Sequence, residues 1–236
     1  MKMRNAWCRL LISILLAAIC QAQGKPVNND SDWWSILKED SHGPQIKPNN
    51  SPLDERSSQI LGVTLGEKQF EEVGAKLGKA TEIGRGDGAT GRHQVCYESA
   101  QGLDKIHLVF GFGEVEETFY LFAGGPEWNG SDLCVKSSRI TERVATASGL
   151  KLGLTRRQTE AILGSPDHVD GDRLFYSREI QKKTSPAEFD QMRTEYPQKL
   201  SDKEAHEKFD YYDMTMYVEA HFGNSKLDYL AVSRAE

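Results

Sequence analysis

The side chains with most chemistry to offer are four cysteines, at 8, 20, 96 and 134, and six histidines: His42, His93, His107, His168, His206 and His221. No CxxC and no HxxxH occurs among them, so the spacing points to no metal site and no cofactor. A GxSxG elbow or a Cys–His nucleophile is not legible, so no residue is assigned a catalytic role. Gly84-Arg85-Gly86-Asp87-Gly88 lacks the Lys-Ser/Thr of a phosphate-binding loop and reads as a hairpin-like loop. Asp167, Asp170 and Asp172 around Gly171 lack the twelve-residue calcium pattern and read as a turn. Asn29, Asn49 and Asn129 head N-x-S sequons, which matter only in a glycosylating source.

The cysteines gain meaning from the start of the chain. Lys2, Arg4 and Arg9 precede an apolar run, Leu10 to Ile19, and small residues, Cys20 and Ala22, sit at −3 and −1 of a cut after Ala22. That is the pattern of a secretory signal peptide over 1–22, and its apolar run is too short to span a bilayer, which takes ~20 residues. Removal of the signal takes Cys8 and Cys20 with it. Two cysteines left in an exported chain, Cys96 and Cys134, read as one disulfide. Three cations leave as well, so 29 basic side chains become 26 against 35 acidic ones, and the net charge moves from −6 to −9. Such a balance argues against nucleic acid as partner. With the signal gone no integral membrane span is expected.

Residues 23–58 are rich in Asn, Asp, Ser, Pro and Gly and read as a flexible leader. Its one apolar island, Asp32-Trp33-Trp34-Ser35-Ile36-Leu37, makes Trp33 and Trp34 candidates for docking or for a partner surface.

The remaining chain carries a repeat. Gly62-Val63-Thr64-Leu65-Gly66 matches Gly149-Leu150-Lys151-Leu152-Gly153 at an offset of 87 residues. Each copy leads into a helical pattern: Phe70, Val73 and Leu77 before Gly78, then Thr159, Ile162 and Leu163 before Gly164. Thr155 and Gln158 form a capping box for the second. Three strand-like runs follow each helix: 93–97, 105–110 and 118–122, then 173–176, 215–222 and 226–232. The expected fold is α+β: two tandem two-layer units, each a helix on a three-stranded antiparallel sheet, over 59–130 and 131–236. An insertion at 180–210 in the second unit holds two helices capped by Ser185 and Ser201. The stripe Phe189, Met192 and Tyr196 is its candidate partner surface.

The signature Leu152-Gly153-Leu154-Thr155 through Leu163-Gly164-Ser165-Pro166, followed by three strands, resembles the SmpA/OmlA (BamE-like) family. Two such units in tandem are similar to the β-lactamase-inhibitor-protein architecture. The resemblance implies a non-enzymatic protein binder working in the periplasm or outside the cell. The expectation is an exported binding or scaffold protein whose partner is another protein. The alternative is a ligand-binding protein or enzyme with its site in the cleft between the two units.

Overall fold

A computed structural model describes residues 52–66, 68–85, 91–101, 105–113, 116–124 and 133–235. The signal, nearly all of the leader, both candidate tryptophans and most of the 84–88 loop lie outside the described residues.

A 3-10 turn, Glu55–Ser58, leads into the short strands β1 (Gln59–Ile60) and β2 (Val63–Thr64), then helix α1 (Gln69–Leu77). Strands β3 (Ile83–Arg85), β4 (Arg92–Ser99), β5 (Lys105–Gly113), β6 (Glu116–Gly124) and β7 (Val135–Ser137) follow. The second half comprises α2 (Arg156–Leu163), β8 (His168–Asp170), β9 (Arg173–Lys183), α3 (Pro186–Glu195), α4 (Asp202–Phe209), β10 (Tyr211–Gly223) and β11 (Lys226–Ala235).

Local signals act where their chemistry requires. Thr155, Ser185 and Ser201 each accept a backbone N–H of the first helical turn, and Gln158, Glu188 and Glu204 return the bond, so α2, α3 and α4 all start with a capping box. Helices α1 and α2 stop at Gly78 (φ 100°) and Gly164 (φ 81°), where a side chain is disfavoured. At Gly164 a Cβ would also sit 2.7 Å from the Pro52 ring.

The expectation of two separate helix-plus-three-strand units is overturned. The strands form one nine-stranded sheet in the order β3-β4-β5-β6-β11-β10-β9-β8, with β7 added in parallel beside β4. The two meanders are joined edge to edge by β6 and β11, whose antiparallel ladder runs from Tyr229↔Phe122 to Ala235↔Glu116. The physical reason lies in those two strands. Phe119, Leu121, Leu230 and Val232 are buried on one face, Tyr120, Phe122 and Ala231 on the other. A strand apolar on both faces belongs in the middle of a sheet, and an edge there would leave backbone groups and side chains unpartnered.

One face, called the first face, carries Tyr97, Leu108, Phe110, Phe119, Met216, Val218 and Leu230. It packs against Val73 and Leu77 of α1 and Leu163 of α2 in a single core. The opposite or second face has a smaller cluster of Cys96, Val109, Tyr120, Phe122, Cys134 and Ala231, which among the described residues includes none from a helix. The insertion also starts later than the sequence suggests. Strand β9 runs on to Lys183 and β10 begins at Tyr211, so the two helices cap a long β9–β10 arm.

Candidate functional site

Side chains alternate along a strand, so the pairing registers fix what shares the second face. One cross-strand row reads Glu98, His107, Phe122, Tyr229, His221, Arg173 from β4 to β9. The next reads Cys96, Val109, Tyr120, Ala231, Glu219, Phe175. His107 stacks on Phe122 with centroids 5.1 Å apart, and Phe122 and Tyr120 both lean on Tyr229 at 6.3 and 6.4 Å. Farther along, Arg173 pairs with Glu219 at 3.1 Å and His221 with Asp228 at 2.6 Å.

The β4 end of this face is sealed. Glu98 is 0% and His107 1% exposed, with Nε2 of His107 3.4 Å from Oε2 of Glu98. Two lysines bring charge to the buried carboxylate: Lys105 at 3.6 Å and Lys136 at 3.9 Å. Lys136 arrives because β7 runs parallel to β4 with Lys136 opposite Glu98. The chain is fastened there by the Cys96–Cys134 disulfide, which forms as the sequence indicates. Gly124 permits the imidazole to lie flat: a Cβ on it would come within 2.5 Å of Cε1 of His107.

Burial, helped by the nearby Lys105 ammonium, lowers the His107 pKa from 6.5 to about 4. At neutral pH the imidazole is therefore uncharged, and the two lysines carry the positive charge facing Glu98. A carboxylate–imidazole pair can serve as a base in catalysis, but this one is closed to substrate, and the neighbouring sulfur of Cys96 is committed to the disulfide. Between pH 6.5 and about 4 the unfolded chain binds a proton that the folded chain refuses, so stability falls as pH drops through that window, by up to about 1.4 kcal/mol per pH unit. Denaturant titrations over that range should show the His107→Gln variant lacking this part of the slope; an unaltered slope would contradict the assignment.

The β10 end of the face is open. Along β10 the first-face residues Met214, Met216 and Val218 are buried, while the second-face residues Tyr211 and Tyr217 are 52% and 38% exposed. Asp213 beside them, and Glu179, Gln181 and Lys183 on β9, are exposed as well. Large apolar rings with polar tips, rimmed by charges, form the type of surface that protein partners bury.

Two residues of the insertion stripe pack inside the insertion itself. Phe189 stacks on His206 at 4.7 Å and meets Phe209 edge-on, and Tyr196 meets Phe209 edge-on at 5.5 Å. Lys208 lies over the Tyr196 ring and donates to its hydroxyl at 2.8 Å. Phe189 and Tyr196 thus hold α3 against α4, while Met192 is half-buried on the same helix.

The other sequence candidates fall apart from one another. His93 pairs with Glu82 at 2.7 Å beside a shallow cavity of about 220 Å³ lined by Gln69, Phe70 and Phe112. His206 pairs with Asp210 at 2.7 Å, and His168 lies against Phe175. Asp167 accepts the Ser177 N–H at 2.7 Å and so fastens the start of β8 to β9. No group of three metal-ligating side chains occurs among the described residues. No helix among them is long and apolar enough to cross a membrane.

No protein-family model matches the chain, and no curated protein or solved structure matches it either. The resemblance to SmpA/OmlA proteins gains no support from these comparisons.

Proposed function

We propose that this chain is an exported, non-enzymatic binding or scaffold protein, secreted or periplasmic, that engages another protein through the open part of its second face. The observation that carries the reading is the pair Tyr211 and Tyr217, exposed on the second face of β10 while the first face of the same strand is buried in the core. The signal-like start and the Cys96–Cys134 disulfide support export into an oxidising compartment. The sealed state of the Glu98–His107 pair supports binding rather than catalysis.

Tyrosine anchors in an interface centre contribute heavily to affinity, commonly by about 2 kcal/mol or more. The double variant Tyr211→Ala/Tyr217→Ala is expected to bind the partner, captured on immobilised chain from the exported fraction, at least about tenfold more weakly, or about 1.4 kcal/mol. Its unfolding free energy should stay within about 0.5 kcal/mol of the parent because both rings are exposed. Val169→Ala, on the other face at 44% exposure, is the control and should change neither. Equal capture by all three proteins would remove the second face from consideration.

A further inference from the structure

The two edges of β9 are treated unequally. The inner edge pairs with β10 over its full length, Arg173 to Lys183. The outer edge meets β8 only over Arg173–Phe175. Beyond that, Asp167 uses two outward groups: its N–H donates to the Phe175 carbonyl at 2.9 Å and its carboxylate accepts from the Ser177 N–H at 2.7 Å. Odd-numbered residues of β9 therefore turn their backbone groups away from β10, since in an antiparallel ladder these groups alternate in direction. By that alternation the N–H groups of Glu179, Gln181 and Lys183, and the carbonyls of Ser177, Glu179 and Gln181, face outward. Among the described residues no hydrogen bond or strand takes them. All three N–H groups belong to exposed residues.

An edge of this kind is a template for another strand. Its bounds are set by Asp167 at one end and, at the other, by Thr184, which bonds to Asp210 just before the α3 cap Ser185. That leaves Ser177–Lys183, the length of an ordinary strand. Its side chains select the occupant. Three cations, Arg178, Lys182 and Lys183, accompany one anion, Glu179, on a chain whose overall charge is −6. Arg178, whose guanidinium also donates to the Leu53 carbonyl at 2.6 Å, and Lys182, which lies over the Tyr212 ring, stand on one face either side of Ile180, the spacing at which alternate side chains of an added strand lie directly opposite. A second copy of β9 centred on Ile180 would set Arg178 against Lys182, and like charges directly opposite are unfavourable. Alternate acidic side chains would meet both cations.

We infer that the outer edge of β9 is a strand-addition site for an extended acidic segment of a partner protein. This rests on the reading that the chain binds protein, and it supplies a second set of contacts, made by backbone and charge, beside the tyrosines of β10.

The test uses the full oxidised chain and two short capped peptides, one alternating glutamate with valine and one alternating lysine with valine. Amide hydrogen exchange is followed residue by residue. The glutamate peptide should slow exchange at Glu179, Gln181 and Lys183 by roughly tenfold or more, and the lysine peptide should not. Lys182→Glu should remove the effect by charge. Gln181→Pro should remove it by deleting one outward donor while leaving the β10 ladder intact. No slowing, equal slowing by both peptides, or amides already protected in the free chain would each overturn the inference. If the peptide fails while Tyr211→Ala/Tyr217→Ala still weakens partner capture, the edge site falls and the proposed function stands.

Discussion

Replacing Cys96 and Cys134 together with alanine should lower the free energy of unfolding by about 4 kcal/mol. The two residues are 38 apart. On the loop-entropy model a closure of that length restricts the unfolded chain by about 4 kcal/mol, within the range usual for native disulfides. The native side of the bond adds to this. Cys134 is fastened immediately before β7, and three residues of parallel pairing with β4 are the only ladder that β7 forms among the described residues. Without the bond β7 has little to hold it, and with β7 goes Lys136, one of the two lysines beside the buried Glu98 carboxylate. A buried charge that loses a counter-ion is costly, so the loss should exceed that of a disulfide spanning an ordinary surface loop. Denaturant unfolding of the parent and double variant, each with intact mass measured, gives the difference directly. A change below about 1 kcal/mol would mean that this corner of the sheet is held by other contacts.

Phe119→Ala should cost about 3–5 kcal/mol, and it should cost both halves of the molecule the same amount. Phe119 is 0% exposed in β6, 6.2 Å from the Phe110 ring and opposite Val232 of β11. Truncating a buried phenylalanine removes its transfer free energy and leaves a cavity. The second half of the expectation follows from the seam. Since β6 and β11 are neighbours in one ladder, the first-face core is continuous across them, and a cavity there weakens a single cooperative unit. Amide exchange read separately in β4–β5 and in β9–β10 should shift together. If only the first half were destabilised, the two meanders would be folding as independent bodies.

The parts of this fold legible in the sequence are those decided by neighbours in the chain. Thr155, Ser185 and Ser201 announce helix starts because a hydroxyl only two bonds from Cα reaches the backbone N–H groups of the turn that follows it. Gly78 and Gly164 announce stops because their φ values are positive. The six meander strands are visible in their apolar runs. What the sequence hid is decided by contacts between distant segments. The β6–β11 seam joins strands more than one hundred residues apart, although it left a trace: Phe119 to Phe122 and Leu230 to Val232 are apolar at consecutive positions, as buried central strands are. The far half of β9, Glu179 to Lys183, shows almost no apolar alternation because its second face is exposed, so it reads as loop. Phe189 on α3 and Tyr196 at its C-terminal cap meet residues of α4, several positions on, a contact that spacing alone does not specify.

The candidate site was legible only in its cysteines. Glu98 and His107 become a pair once the β4–β5 register is known, since they lie directly opposite. One clue existed: Glu98 is two positions from Cys96, so it must share the face of the disulfide. Tyr211 and Tyr217 carry no local mark that distinguishes them from core aromatics. They are identified by facing away from Met214, Met216 and Val218.

We propose the open second face of β10 as the place where this protein meets its partner. Site-specific photo-crosslinking in the exported, oxidised, full-length chain tests it most directly. A photoreactive phenylalanine analogue is placed in turn at Tyr217 and at Val169, which lie on opposite faces and are similarly exposed. Irradiation in the native compartment should give a discrete higher-mass adduct with another protein from position 217 and none from position 169. Adducts from 169 alone, or none from 217 with the chain properly exported and oxidised, would contradict it.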